Sequence, residues 1–204
     1  MLIHDKSLEE FCFIAIDPGL NNTGIAIFYV KVNPFEILSI TASTLKSDRL
    51  IDDSGLDDED FTERLHKRYK MGNALKRILE ETNPCVVVSE SPFFDRRKPG
   101  SFAVLTEVLT TLFDTVINYN PLIRFSMVEP LLVKKVLGVA GQKGKEVVRE
   151  AMSKETLLIQ ALSSPLEHLD EHAVDAVGVG YTYLLKKSGL VQEKPSTKKE
   201  KHVK

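Results

Sequence analysis

The feature that most constrains the fold is an unbroken apolar run at residues 11–16 that ends in the acidic residue Asp17. A turn signal, Pro18-Gly19, follows at once. A short apolar run bounded by turn residues predicts a strand that is covered on both faces, as in sheets flanked by helices. Residues 85–89 show the same pattern and are followed by Glu90. Both acids are therefore predicted at the carboxyl ends of buried strands, where α/β proteins place their sites.

The remaining chain predicts further strands and helices in alternation. Strands are predicted at residues 23–32, 35–44 and 124–128, and helices at residues 59–82, 101–119, 130–137, 145–162 and about 170–187. Three strands in a meander followed by two strand–helix–strand units predict an α/β fold with a five-stranded mixed sheet, its last strands parallel, and helices on its faces. The Gly-x-Gly at residues 178–180 lies inside a predicted helix, where it is expected to allow close packing.

Composition excludes several classes of protein. The 204 residues are 43% hydrophobic, which is enough for a packed core. The two cysteines, Cys12 and Cys85, lie in apolar runs, which excludes a disulfide scaffold and suggests reduced thiols in a cytosolic compartment. Apolar stretches reach only about six residues against the roughly twenty of a membrane helix, so no membrane partner is expected.

Charge is unevenly distributed along the chain. Residues 48–60 contain seven acidic residues and one arginine, which predicts a solvated loop. Residues 188–204 are lysine-rich and are predicted to be a flexible tail on a domain formed by residues 1–187. The formal net charge of −2 does not indicate a nucleic-acid binder, so a basic binding surface would have to be local.

Four residues form the principal candidate site: Asp17, Glu90, His172 and Asp175. The last two are three residues apart and share one face of a predicted helix. Carboxylates gathered with an imidazole repel one another unless a cation neutralises them, and this donor set suits Mg²⁺ or Mn²⁺. Taken singly, each residue has an ordinary alternative as a turn former, a loop acid or a helix N-terminal pair. Only their joint arrangement favours a metal site.

Four segments resemble, in order and spacing, the RuvC-type Holliday junction resolvases. They are residues 14–27 (IAIDPGLNNTGIAI), 86–94 (VVVSESPFF), 133–148 (VKKVLGVAGQKGKEVV) and 171–184 (EHAVDAVGVGYTYL). The resemblance covers roughly residues 11–187 and implies an RNase H-like fold. It also implies that Asp17, Glu90 and Asp175 are catalytic metal ligands. His172 takes the position where family members carry Asp or His.

The resemblance further assigns two lysines near the scissile phosphate. Lys134 and Lys145 match this pair, although Lys135 and Lys143 fit within a residue or two. All four lysines are otherwise typical of exposed helices and turns.

The segment after Glu90 provides the candidate DNA-binding residues. Phe93 falls where resolvases carry an aromatic residue that stacks on bases, and Phe94 is equally compatible with core or dimer packing. Arg96, Arg97 and Lys98 form the best local basic patch for backbone phosphates, with a solvated loop as the alternative.

The resemblance implies a metal-dependent, structure-selective endodeoxyribonuclease. Such an enzyme resolves Holliday junctions in DNA recombination and repair by paired phosphodiester cleavage, with two Mg²⁺ or Mn²⁺ ions per active site. A homodimer would present two sites to the two strands. Its candidate contact is the helix at residues 101–119, through Val104, Leu105, Val108, Leu109 and Leu112, with ordinary core packing as the alternative. The expected location is the cytoplasm of a bacterium or phage-infected cell, or else an organelle. The sequence does not identify a branch-migration motor that would act with the enzyme.

Three other functions stay open at this point. One is a general nuclease for branched DNA or for RNA, and another is a nonenzymatic junction-binding protein. The third is an actin-like ATPase or sugar kinase, because residues 17–24 match the Asp-x-Gly-x-x-x-Thr-Gly phosphate loop. Those proteins need two lobes and a longer chain.

One geometric prediction is independent of function: if Asp17 and Glu90 end adjacent parallel strands, Cys12 and Cys85 are neighbours as well.

Overall fold

The structure of the protein, a computed structural model, describes residues 10–51, 62–94, 96–97, 99–142, 144 and 146–189. The predicted acidic loop lies outside the described residues from residue 52 onward, and its first residues form a short 3-10 turn at Ser47–Arg49. The predicted lysine-rich tail lies outside them from residue 190.

Five strands form one mixed sheet in the order β3-β2-β1-β4-β5. The strands are β1 (Glu10–Asp17), β2 (Asn22–Lys31), β3 (Glu36–Lys46), β4 (Val86–Glu90) and β5 (Arg124–Val128). The first three pair antiparallel, whereas β4 pairs parallel with both β1 and β5. This arrangement confirms the predicted five-stranded mixed sheet.

Six α-helices are described along the chain. They are α1 (Glu63–Thr82), α2 (Pro99–Tyr119), α3 (Pro130–Val136), α4 (Glu146–Met152), α5 (Thr156–Ala161) and α6 (Glu171–Lys187). α1 begins where the Thr62 hydroxyl accepts a hydrogen bond from the Leu65 N–H, and it ends at Asn83 in the left-handed conformation.

The prediction of one continuous helix at residues 145–162 is wrong, because the chain turns between α4 and α5. The N–H groups of Lys154 and Glu155 donate to carbonyls three residues earlier, which tightens the last turn of α4 and ends it. The Ser153 hydroxyl donates to the Glu150 carbonyl oxygen at 2.8 Å. Such a local side-chain bond competes with continuation of the helix.

Helices cover both faces of the sheet, which explains the unbroken apolar run in β1. Phe13 and Ala15 point towards α6, where the rings of Phe13 and Phe28 stack with centroids 4.6 Å apart. Ile14 and Ile16 point towards α1 and α2 on the other face. All five side chains are fully buried, so neither face of β1 tolerates a polar residue until Asp17.

α6 approaches the sheet most closely at two glycines. A Cβ atom added to Gly180 would overlap the ring of Phe28, and one added to Gly24 would overlap the carbonyl oxygen of His172. The side chain of Val133 lies 3.3 Å from where the Cβ of Gly178 would be. These contacts confirm the expectation that the Gly-x-Gly in this helix allows close packing.

The predicted register of the two central parallel strands is confirmed at their cysteines. The Cys85 N–H donates to the Cys12 carbonyl oxygen at 3.0 Å, and the Cys85 thiol donates to the same oxygen at 3.3 Å. Both residues are free cysteines. Burial raises the pKa of the Cys12 thiol to about 11 and also raises the pKa of the Cys85 thiol. The protonated form of each is therefore favoured at neutral pH, which makes both poor nucleophiles.

α2 is the one helix within the described ranges whose length and mean hydropathy of 1.4 would let it cross a membrane. The six-residue apolar runs in the sequence do not indicate this. The test rests on length and composition only, and α2 packs against α1 and the sheet. Its charged residue Glu107 pairs with Arg64 at 2.8 Å and with Arg68 at 3.4 Å on α1.

The buried face of α2 corrects part of the predicted dimer contact. Val108 and Leu112 are fully buried in the core of this chain, so they are not available to a partner subunit. Val104, Leu105 and Leu109 are only partly buried.

Candidate active site

Two acidic residues lie at the carboxyl ends of neighbouring parallel strands. Ile16 and Ser89 are the last paired residues of β1 and β4. Asp17 and Glu90 follow them directly, so both acids lie at the same edge of the sheet, as their positions in the sequence predicted. The side chain of Asp17 is only 13% exposed.

The turn after Asp17 is closed by a side chain of the next strand. The Thr23 hydroxyl donates to the carbonyl oxygen of Gly19 at 2.7 Å. The chain therefore reverses at once, and Gly24 becomes the antiparallel partner of Asp17. This placement brings a residue without a side chain next to the first acid.

The first turn of α6 brings a histidine to Asp17. Asp170 caps the helix, since its Oδ1 atom accepts hydrogen bonds from the Ala173 N–H at 3.1 Å and from the Thr44 hydroxyl. His172 Nδ1 lies 2.9 Å from Asp17 Oδ2. An ionised carboxylate only accepts hydrogen bonds, so Nδ1 carries the shared proton. Asp175 lies one turn further along the same helix.

The carboxyl groups of the site affect one another electrostatically. Burial, and then the charges of Asp17 and Asp175, raise the pKa of Glu90 from 4.5 to about 8. Burial and Asp17 likewise raise the pKa of Asp175 from 3.8 to about 6. The hydrogen bond to Asp17 raises the pKa of His172. Full ionisation of the carboxyl groups is therefore costly, and protons or cations are favoured here.

The donor set fits a hard divalent cation, although the side chains are not clustered closely enough to form a metal site as they stand. In the described ranges, no three acidic, imidazole or thiol side chains form a group that could hold a metal ion. The available donors are carboxylate oxygens and one imidazole, which are the ligands that Mg²⁺ and Mn²⁺ accept. Burial first, and then the neighbouring carboxylates, raise the pKa values of Glu90 and Asp175, so a bound cation would favour their ionised forms.

A cleft of about 420 Å³ opens beside Asp17, His172 and Asp175. Lys134 on α3 lines this cleft, and its positive charge opposes the raised pKa values of Glu90 and Asp175. Glu90 interacts with these charges but is not part of the cleft lining. The adjacent Lys135 is exposed and is not part of the lining either. Of these two candidate lysines, the structure thus brings Lys134 to the acids.

Two charged residues of α4 also line the cleft, and sequence reasoning missed both. They are Glu146 and Arg149. The Arg149 guanidinium donates to the carbonyl oxygens of Leu166 and, at 2.9 Å, Leu169. These bonds tie α4 to the segment that leads into α6. The available signal was their three-residue spacing, which places them on one helix face just after the candidate lysines.

The segment after Glu90 is exposed. The side chains of Phe93 and Phe94 are 69% and 52% exposed, so neither belongs to the core. Phe94 contacts the ring of Phe102 edge-on, with centroids 5.6 Å apart. Arg96 and Arg97 are exposed in the same segment. The structure therefore presents aromatic and basic groups together close to the end of β4.

Three predicted DNA-contacting or catalytic lysines lie outside the described residues: Lys98, Lys143 and Lys145. The neighbours of the last two, Gly144 and Glu146, line the cleft. The roles of these lysines stay predictions.

The sheet order and the helices on both faces are those of the RNase H-like fold. No protein-family model and no curated protein matches this chain. Its structure is similar to that of Thermus thermophilus RuvC in complex with a Holliday junction substrate. The TM-score is 0.61 at 16% identity, covering 87% of this chain and 96% of that chain. A second T. thermophilus RuvC structure gives 0.61 at 18% identity, covering 87% and 96%.

The yeast mitochondrial Holliday junction resolvase has a similar structure. Its TM-score is 0.57 at 15% identity, covering 87% of this chain and 79% of that chain. These similarities confirm the predicted RuvC-like variant of the RNase H-like fold.

Proposed function

We propose that the protein is a metal-dependent Holliday junction resolvase, an endodeoxyribonuclease that cuts four-way DNA in recombination and repair. One observation supports this above all. Asp17, Glu90, His172 and Asp175, which are scattered along the sequence, lie with Lys134 at one sheet edge of a RuvC-like fold. A similar structure, that of T. thermophilus RuvC, was solved with a Holliday junction substrate.

Asp17, Glu90, His172 and Asp175 would hold Mg²⁺ or Mn²⁺, with two ions per site. Such ions, when bound, activate water and stabilise the leaving oxygen of a phosphodiester. The contribution of His172 follows from its hydrogen bond. Since Nδ1 donates to Asp17, the neutral imidazole carries its lone pair on Nε2, and the Asp17 carboxylate is held in one orientation.

Positive side chains of the cleft would receive the phosphate. The Lys134 ammonium faces the acids and would stabilise negative charge that develops on the phosphate oxygens during cleavage. Arg149 adds a second positive group to the same cleft, and two backbone carbonyls hold it in place. Lys145 is the second proposed catalytic lysine. Lys135 and Lys143 would contact more distant phosphates.

The exposed segment after Glu90 would bind the junction itself. Phe93 is the candidate for stacking on an unpaired base, because its ring is the more exposed of the two and Phe94 already contacts Phe102. Arg96, Arg97 and Lys98 would neutralise neighbouring backbone phosphates.

Paired cleavage of a four-way junction would require two sites, which a two-fold dimer supplies. The exposed side of α2 and the adjacent strand β5 support such a dimer. Phe113 and Met127 are 44% and 59% exposed there, and Leu105 and Leu109 are partly exposed. Sedimentation equilibrium at micromolar concentration should give a dimer for the wild type and a monomer for Phe113→Asp. A wild-type monomer would contradict this part of the proposal.

The decisive test compares a labelled four-way junction with a linear duplex of the same sequence, with and without Mg²⁺ or Mn²⁺. The wild type should cut the junction in a metal-dependent way and leave the duplex intact. Asp17→Asn and Asp175→Asn should bind the junction without cutting it. Asp114→Asn, which changes an exposed acid on α2, is the matched control and should cut normally.

The nuclease and junction-binding alternatives predict different results in this assay when an RNA substrate is included. Equal cutting of both DNA substrates, or cutting of RNA, would indicate a general nuclease. Binding by the wild type without any cutting would indicate a junction-binding protein. Normal cutting by Asp17→Asn would refute the assigned site.

A further inference from the structure

We infer that Thr44, together with Gly24 and Asp170, positions the first turn of α6 so that His172 meets Asp17. The consequence of this positioning for metal binding rests on the proposed function. Thr44 contacts neither the acids nor the imidazole, so it would act as a positioning residue through Asp170.

Three residues form a straight row across the sheet at the level of the site. Asp17 on β1 is the pairing partner of Gly24 on β2, and Gly24 is the partner of Thr44 on β3. The first turn of α6 crosses this row. Asp170 contacts Thr44, the backbone of His172 lies over Gly24, and the His172 imidazole contacts Asp17.

The middle of the row sets how closely the helix approaches. A Cβ atom on Gly24 would overlap the His172 carbonyl oxygen and would lie 3.2 Å from the Cβ atom of Ala176. Any side chain at this position would therefore lift α6 from the sheet. The Nδ1–Oδ2 distance of 2.9 Å between His172 and Asp17 depends on this approach.

The outer end of the row fixes the helix against sliding or rotation. The Oδ1 atom of Asp170 accepts hydrogen bonds from both the Ala173 N–H and the Thr44 hydroxyl. Such bonds to a carboxylate are charge-assisted and stronger than neutral ones. The helix cap is thereby attached to β3, whereas without Thr44 the Asp170 side chain would bond only to the backbone of its own helix.

The imidazole is partly open to solvent, since its side chain is 30% exposed. The backbone of α6 and the bond to Asp17 both act on its position. Partners that orient a metal ligand without touching the metal commonly change affinity or activity by about 10–100-fold when they are removed. We expect an effect of this size for Thr44.

The experiment compares two substitutions on the same strand. Thr44→Val removes the hydroxyl that reaches Asp170 and keeps the side-chain shape. Thr41→Val is the matched control, because Thr41 also shares a side-chain hydrogen bond across β3, with Ser163 at 3.1 Å, away from the site. Thr44→Ser retains the hydroxyl and should rescue the wild-type behaviour.

Two readouts are measured on each variant. Mn²⁺ affinity, titrated in the absence of DNA, should weaken about 10–100-fold in Thr44→Val and stay at the wild-type value in Thr41→Val and Thr44→Ser. In the metal-free protein, the ¹⁵N NMR signal of His172 Nδ1, assigned with His172→Gln, should shift only in Thr44→Val. Asp170→Ser provides a second variant, since serine still caps the helix but is too short to reach Thr44.

The possible results separate the inference from the proposed function. Unchanged Mn²⁺ affinity and an unchanged Nδ1 signal in Thr44→Val would overturn the inference while leaving the nuclease assignment intact. Equal losses in Thr44→Val and Thr41→Val would also overturn it, because they would indicate general loosening of β3. If the wild type neither binds Mn²⁺ nor cuts DNA, the proposed function fails, and the Nδ1 signal alone decides the inference.

Discussion

The raised pKa of Glu90 predicts that the metal-free protein loses stability as the pH rises. The pKa of this carboxyl is about 8 in the folded protein and has an ordinary value of 4.5, because of burial and the charges of Asp17 and Asp175. Between these values the folded chain keeps a proton that the unfolded chain has lost. Raising the pH from 5 to 8 therefore favours unfolding. Over the full interval between the two pKa values, the free energy of unfolding falls by about 5 kcal/mol.

Urea unfolding in EDTA at a series of pH values measures this effect. Glu90→Gln should remove most of the decline, since an amide carries no charge at any of these pH values. The control is Glu80→Gln, which changes an exposed acid on α1 and should retain the wild-type slope. A wild-type stability that stays level from pH 5 to pH 8, or an undiminished slope in Glu90→Gln, would refute the argument.

Three further substitutions test individual contacts. Lys134→Ala should slow junction cleavage by about 100-fold in single-turnover assays at saturating protein. Lys135→Ala should weaken junction binding but keep the wild-type cleavage rate under these conditions, and equal losses of rate would show that the cleft does not distinguish the two lysines. Gly180→Ala should lower the free energy of unfolding in urea by about 1–3 kcal/mol, because its Cβ would overlap the Phe28 ring, and an unaltered midpoint would argue against close packing there. Phe93→Ala should weaken junction binding by about 1–3 kcal/mol in gel-shift titrations and leave the unfolding free energy unchanged, and full-strength binding would remove Phe93 from the DNA surface.

Most of the fold could be predicted because the apolar pattern repeats at the periods of strands and helices. The apolar run before Asp17 predicted β1. The register between β1 and β4 was predicted from the equal spacing of Cys12 to Asp17 and of Cys85 to Glu90. The break between α4 and α5 could not be predicted in this way. The apolar period continues past Ser153, and only local hydrogen bonds to residues three positions earlier end the helix there.

The residues of the candidate site likewise divide into those that a local sequence pattern indicates and those that it does not. Asp17 and Glu90 could be found because each ends a recognisable strand, and Asp175 because it shares a helix face with His172. The spacing of Arg149 to Glu146 indicates only a shared helix face, because the bonds that hold Arg149 run to carbonyl groups 17 and 20 residues away in a segment without a pattern. The pairing of Thr44 with Asp170 spans 126 positions and has no signature in either neighbourhood.

The attachment of the acids to the sheet and to α6 has an evolutionary consequence. Asp17 is placed by its strand partner Gly24 and by His172, and neither belongs to the exposed residues 93–94 and 96–97 that follow Glu90. On the proposed function, substitutions at those exposed residues would alter which nucleic acid is bound, while the metal-binding groups keep their arrangement. Related proteins built on the same frame would then differ in the nucleic acid they bind and share one set of metal ligands.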